Sequence, residues 1–353
     1  MSKFDLATEA LTNEIIKQHR ENPDAKLLWL ADEHPVSPAK LDTLPKNTLV
    51  FVTNRFDQYQ LAKSKGITSQ FSDFEILANE QPENIFFRAP KERALTHFLI
   101  NQSHARLPLE GKLWIFGYKN EGIKTHISRA ADLFGCKATI NRGKNQLFSA
   151  CLNKLPGQGE LLEDDNYQSL REVAVDQLDS FWSKPGIYGW NKIDAGSELL
   201  TKALSSHEDA GEGKQILDIG CGYGYLGLWA ARLKPALLTA TDNCYGALEA
   251  AKKNLEAAGT QIQPSNAADC IEGRYDLILC NPPFHQGFST TPELHGRFLF
   301  HTHRLLKPKG AAWFVVNQFL PLEKIALDHG LKATEIVRHK GFKVLRLQHC
   351  QAQ

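Results

Sequence analysis

The chain of 353 residues is 42% hydrophobic and 23% charged, with 25 Gly and 16 Pro. That composition excludes collagen-like, low-complexity and largely disordered chains, and the length predicts about two domains, each with its own core. Net charge is +1, but it divides into +4 over residues 1–155, −5 over 156–185 and +2 over 186–353. Two mildly basic regions around an acidic segment permit a polyanionic partner without demanding one.

No run of about 18 apolar residues occurs, so no membrane span is expected. The N-terminal MSKFDLATEALTNEIIKQHR mixes charges and has no apolar h-region, which argues against a secretory signal. Seven cysteines without C-x-x-C spacing predict reduced thiols in a cytoplasmic protein. His285, His295, His301 and His303 cluster in sequence without metal-ligand spacing, so no metal is expected.

In chain order, KLLWLAD (26–32), TLVFVTN (48–54), NIFFRAP (84–90) and GKLWIFGY (111–118) read as apolar strands. LPGQGELLEDDNYQSL (155–170) holds Pro, two Gly and four acids and opens an expected acidic linker over 156–185. Strands and helices then alternate. KQILDIG (214–220), ALLTATD (236–242), YDLILCN (275–281) and AAWFVVN (311–317) are strands. YLGLWAARLK (225–234), YGALEAAKKNLEAAG (245–259) and GRFLFHTHRLLKPKG (296–310) are helices, the last closed by Pro and Gly. HKGFKVLRLQH (339–349) predicts a hairpin turning near Lys340–Gly341. Such alternation gives a mostly parallel sheet with helices on both faces.

The two halves repeat one another. Residues 111–135 and 310–330 each run from Gly, to Trp three positions on, to a strand, to a helix ending in Gly. LADEH stands where the second half has DIGCG, and FFRAP where it has CNPPF. The expected fold is α/β, with two Rossmann-like domains, 1–155 and 186–353, born of a duplication. In the first, LADEHP (30–35) has no glycine, and Asp32 and Glu33 put negative charge in the loop. Arg88 replaces the asparagine, beside Lys91 and Arg93. This domain is expected to bind no cofactor and either to contribute substrate contacts or merely to stabilise the second by packing.

LDIGCGYGYLG (217–227) is the sharpest local feature. Glycines at 220, 222 and 224 after a strand let the backbone take positive φ and approach a ligand closely. Gly222-x-Gly224-x-x-Gly227, with Asp242 twenty residues past Gly222, would by itself fit a nicotinamide dinucleotide site. ILCNPPFH (278–285) argues otherwise. Its two prolines fix φ and remove two N–H donors at the end of an apolar strand. The Asn281 amide oxygen and a nearby carbonyl can then accept both hydrogens of an –NH2 group, and Phe284 can stack on a planar base.

DIGCGYG, TATD, NAAD and NPPF, in this order and spacing, resemble the S-adenosylmethionine-dependent methyltransferases that act on exocyclic or amide nitrogens. The full length, with its degenerate first half, IDAGSELL (193–200) and NPPFH, is similar to the RsmC-type 16S ribosomal RNA guanine-N2 methyltransferases. The resemblance implies S-adenosyl-L-methionine as cofactor. Asp218, Gly220, Gly222 and Gly224 would hold its methionine part, and Asp242 its ribose. Asp269, with Ala268 beside it, would hold the adenine, and Asp194, Gly196 and Ser197 would lie over the cofactor. Asn281, Pro282 and Phe284 would be catalytic. His285, Arg88, Arg338, Lys340 and Lys343 are candidates for substrate contact, and Trp190 and Asn191 have no assigned role. The implied partner is 16S rRNA within the small ribosomal subunit, met by a monomer with no membrane or metal. Methylation of adenine in DNA or RNA, or of protein glutamine, uses the same N-P-P-aromatic motif and is the alternative; a ribosome-assembly factor without turnover is another.

Overall fold

LLWLA at residues 27–31 is apolar throughout, as a strand covered on both faces must be, and all five residues are buried. This logic repeats across the computed structural model, which describes residues 5–75, 81–157, 159–175, 179–283 and 292–350. The chain divides into two units, Met1–Ser169 and Leu170–Gln353.

The first unit runs α1 (Leu6–Glu21), β1 (Leu27–Ala31), α2 (Pro38–Leu41), β2 (Leu49–Thr53), α3 (Phe56–Ser64), β3 (Thr68–Phe71), β4 (Asn84–Arg88), α4 (Arg93–Arg106), β5 (Lys112–Tyr118), α5 (Ile123–Phe134), β6 (Thr139–Arg142) and β7 (Leu147–Asn153). Its sheet order is β3-β2-β1-β4-β5-β7-β6, with β7 antiparallel to both neighbours. Leu28 and Leu30 of β1 enter one core, and Leu27, Trp29 and Ala31 enter the other, so helices cover both faces.

The second unit opens with a hairpin of β8 (Arg171–Val175) and β9 (Asp179–Ser183). It continues through α6 (Ala195–Ser205), β10 (Gln215–Ile219), α7 (Tyr225–Ala231), β11 (Leu237–Asp242), α8 (Tyr245–Leu255), β12 (Gln261–Pro264), β13 (Tyr275–Cys280), α9 (Pro292–Leu305), β14 (Leu306–Asn317), α10 (Leu322–Asp328), β15 (Leu331–His339) and β16 (Phe342–His349). The order β12-β11-β10-β13-β14-β16-β15 reproduces the first sheet strand for strand, with β15 and β16 as the antiparallel hairpin. Registers agree as well: Leu30 pairs with Phe87 as Ile219 pairs with Cys280. Arg88 is therefore the counterpart of Asn281.

The acidic segment is not one linker. Its first part folds onto the first unit: Tyr167 is buried beside Phe98, and Asn101 brackets the Leu162 backbone with two hydrogen bonds of 2.9 Å. Its last part is the β8–β9 hairpin, where Phe181 stacks on Tyr223 at 4.1 Å. Glu160, Glu163, Asp165 and Glu172 are exposed, while Tyr167 and Phe181 supply buried docking contacts. Pro308 and Gly310, expected to close a helix, lie inside β14. There the register with β13 shifts, and a Cβ on Gly310 would stand 3.0 Å from two β13 carbonyl oxygens, so the pair marks a bulge.

Candidate active site

The glycine loop leaves the C-terminal end of β10 with Gly220, Gly222 and Gly224 at φ +75°, +56° and +97°. These left-handed conformations favour glycine. Among the described residues, chain neighbours aside, no atom lies within 4 Å of where a Gly222 Cβ would project, whereas at Gly224 and Gly227 a Cβ would meet Leu255 at 3.2 and 2.9 Å. One glycine meets none of the described residues outside its own turn, and two admit the packing of α8.

Asp242, the last residue of β11, braces this loop. Its Oδ2 accepts from the Gly222 N–H at 2.9 Å and its Oδ1 from the Cys244 N–H at 2.8 Å. Asp218 on β10 is fully buried, and among the described residues neither carboxylate oxygen makes a well-formed hydrogen bond. Burial pushes its pKa up to about 7, the Asp242 charge adds to this, and the nearby Gly227 N–H only partly opposes it. Past β12, Ala267 and Ala268 both adopt positive φ, +56° and +67°. The turn is held by Asn266 N–H on Asp269 Oδ1 (2.9 Å) and Ala268 N–H on Ser265 Oγ (3.1 Å). Asp269 is exposed and Ala268 buried.

Asn281 follows β13. Its Nδ2 donates to Asp194 Oδ1 at 2.7 Å and to Ser197 Oγ at 2.8 Å. Asp194 is also the N-cap of α6, accepting the Ser197 N–H at 2.9 Å, and Tyr188 approaches its other oxygen at 3.4 Å. A carboxylate only accepts, so the amide nitrogen must face it and the Asn281 oxygen is turned away, with no hydrogen bond to it among the described residues. Gly196 is tightly packed here: a Cβ would stand 3.0 Å from Asp194 Oδ1 and 3.1 Å from the Phe342 ring, so either neighbour would have to shift. Asp194 and Ser197, expected over a cofactor, thus hold the Asn281 amide. Pro282 is buried; Phe284 and His285 lie outside the described residues.

Two expected substrate contacts are corrected. Arg88 is 3% exposed, bidentate to Glu121 at 2.7 and 2.6 Å, and 3.2 Å from Asp5. Lys343 is 4% exposed, with Nζ 2.7 Å from both Glu323 oxygens. Both cations are consumed internally, because a buried charge must be paired. Arg338 is exposed but bidentate to Glu335. Lys340 is exposed at the hairpin turn and has no ion-pair partner among the described residues.

In the first unit, Asp32, Glu33 and His34 bring potential ligand atoms within 4.8 Å of one another. Asp32 and His34 already share a 2.8 Å hydrogen bond, and the Arg88 charge bears on both, which disfavours a cation. Gln58 donates to the backbone carbonyls of Asp32 and His34. The counterpart of the glycine loop is filled by its own side chains.

Sequence reasoning missed Asn254. It donates to the Trp182 and Tyr223 carbonyls at 2.8 and 2.7 Å and accepts from the Trp182 N–H at 2.7 Å, pinning the glycine loop to β9. On the polar face of α8 nothing in its sequence neighbourhood marks it. Trp190 carries the Arg171 guanidinium 5.1 Å above its ring.

Residues 179–346 match the family described as "Methyltransferase small domain", and residues 13–161 match "Methyltransferase small domain N-terminal". The chain belongs to the methyltransferase small domain family. Relatives named "Ribosomal RNA small subunit methyltransferase C", from Escherichia coli O157:H7 and Escherichia fergusonii, are each 28% identical over 98% of this chain and 97% of their own length. Among solved structures, a T. thermophilus 16S rRNA N2 methyltransferase, RsmC, in complex with AdoMet and guanosine superimposes with a TM-score of 0.81 at 22% identity. It covers 98% of this chain and 92% of its own, and so shares the two-domain fold. In family terms the glycine loop, Asp242 and Asn281 all gather at the C-terminal edge of the second sheet, where open α/β sheets bind ligands.

Proposed function

We propose that the chain transfers a methyl group from S-adenosyl-L-methionine to the exocyclic N2 amine of a guanine in 16S rRNA, within the small ribosomal subunit. The orientation of Asn281 carries this reading: with both amide hydrogens committed to Asp194 and Ser197, its oxygen is left to accept from an –NH2 group. The relatives' names supply the RNA and the subunit.

The residues fit the cofactor. Among the described residues nothing fills the space beside Gly222 and the buried Asp218 carboxyl has room for a further donor, while Asp242 keeps a lone pair on each oxygen for ribose hydroxyls. Gly220 and Gly224 shape the loop, and Ala268 and Asp269 offer the base edge. When bound, the cofactor supplies an electrophilic methyl group on sulfonium. The guanine amine is a poor nucleophile because its lone pair is delocalised into the ring. The Asn281 oxygen and the Pro282 carbonyl accept its hydrogens and favour charge developing on nitrogen. The base must leave its helix to be reached, and the motif assigns Phe284 to stack on it and His285 to substrate contact. No strong base is needed before transfer. The first unit binds no cofactor and supports the RNA or the second unit, and the protein works as a cytoplasmic monomer.

The test is nucleoside analysis of 16S rRNA after incubating purified small subunits, naked rRNA, DNA and protein with the chain and labelled cofactor. The reading expects label in N2-methylguanosine, from subunits or rRNA. Label in N6-methyladenosine or methylglutamine would contradict it.

A further inference from the structure

Phe319 stands 83% exposed in the turn that follows β14, the strand next to the one that delivers Asn281, at the C-terminal edge of the second sheet. β13 and β14 run parallel with Cys280 opposite Phe314, so Asn281 leaves one strand as β14 nears its end at Asn317. There the chain is held rather than loose. Asn317 Oδ1 accepts the Phe319 N–H at 3.0 Å and its carbonyl accepts the Leu320 N–H at 3.0 Å. The next residue on, Pro321, has a fixed φ. The turn is also tied to the β15–β16 tip: Gln318 N–H donates to the Gly341 carbonyl at 2.9 Å, and Asn317 pairs with Phe342. Phe342 packs on Gly196, between the two residues that grip Asn281. Phe319, the tip and the amide are therefore joined through short backbone and ring contacts. The tip presents His339 and Lys340, both exposed, with Lys340 lacking an ion-pair partner among the described residues.

A base drawn out of its stack leaves its neighbours with an uncovered face. An exposed aromatic ring on a rigid turn beside an unneutralised cation supplies what such a neighbour lacks: a π-face for the base and a positive charge for its phosphate. We propose that Phe319 and Lys340 form a second nucleotide subsite, which stacks the base next to the target guanine in single-stranded RNA and contacts its phosphate. The proposal rests on the guanine-methylating reading. Continuity with Asn281 and the free cation favour a nucleotide over an apolar protein segment as the occupant.

The test uses the full chain, its variants Phe319→Ala, Phe319→Tyr and Lys340→Ala, and three substrates: small subunits, free guanosine, and a single-stranded RNA oligonucleotide with 2-aminopurine beside a guanine. Phe319→Ala should lower kcat/KM on subunits by about five- to a hundredfold, the span of one lost base–aromatic stack. Phe319→Tyr should restore it, and both variants should match wild type on guanosine and in cofactor affinity. Wild type and Phe319→Tyr should quench 2-aminopurine fluorescence, and Phe319→Ala should not. Lys340→Ala should reduce the salt slope of RNA binding by about one. Persistent quenching by Phe319→Ala overturns the subsite, as does an equal loss on guanosine, which would put the ring in the reaction pocket or the core. A loss on subunits with quenching unchanged also overturns it, since the ring would then meet a ribosomal protein. Should wild type itself leave guanine unmethylated, the functional reading fails, while quenching still reports on the stack.

Discussion

Asn281 and Asp194 lie 87 residues apart in sequence and 2.7 Å apart in space, amide nitrogen to carboxylate oxygen. The same carboxylate oxygen caps α6. One acid therefore sets both the start of a helix and the direction in which the neighbouring amide accepts. Asp194→Asn would remove the acceptor-only partner and let the Asn281 amide turn over. We expect kcat to fall by about tenfold or more while cofactor affinity, read by calorimetry, changes by only a few-fold. Ser197→Ala, which removes the weaker of the two acceptors, should act in the same direction and less. Loss of affinity with kcat intact would return both residues to the cofactor.

Asp242→Ala should do the reverse. It removes the acceptor for the Gly222 N–H of the glycine loop and for the Cys244 N–H after β11, so the free protein loses the brace of its cofactor cradle. Calorimetry should show cofactor binding weakened by at least about tenfold, the scale of a charge-assisted hydrogen bond. Unchanged affinity would remove Asp242 from the ribose.

Asp218 predicts a pH dependence of stability. Its folded pKa, about 7, lies above the ordinary carboxylate value, so the native state holds a proton that the unfolded state has released. Between about pH 4 and about pH 7 the native chain thus binds more protons than the unfolded one, and stability falls as pH rises. Asp218→Asn mimics the neutral form. Without cofactor, its melting temperature should exceed that of wild type above about pH 7, and the gap should close towards about pH 4. A gap of constant size across that range would show that Asp218 stays ionised when buried.

Arg88 predicts a stability effect where an RNA contact was expected. Removing the guanidinium leaves Glu121 and Asp5 buried without their partner. Arg88→Ala should cost about 3–5 kcal/mol of unfolding free energy, measured by urea denaturation. RNA affinity of the folded protein should not change. A selective loss of RNA binding with unaltered stability would restore the original expectation.

The duplication and the chemistry of the second unit were legible because they depend on local signals. Glycines that must take positive φ, prolines that rigidify a strand end, and apolar runs covered on both faces all announce themselves within a few residues. The β8–β9 hairpin escaped because REVAV and DSFWS are half polar and its register depends on Phe181 meeting Tyr223. Arg88 looked like a free cation because its partners lie 33 and 83 residues away. Asn254 and Phe319 are similar cases: an asparagine on a polar helix face and a phenylalanine in an apolar run take their meaning only from what the fold brings near them or leaves bare.

Methyl transfer turns on the Asn281 amide, and turnover of Asn281→Ala measures this most directly, with cofactor affinity taken on the same preparation. Losing an acceptor that strengthens as charge develops on the amine should lower kcat by about a hundredfold or more, with cofactor affinity within a few-fold of wild type. A variant that methylates guanine at close to the wild-type rate would contradict the account, because the amide gripped by Asp194 and Ser197 would then take no part in the reaction.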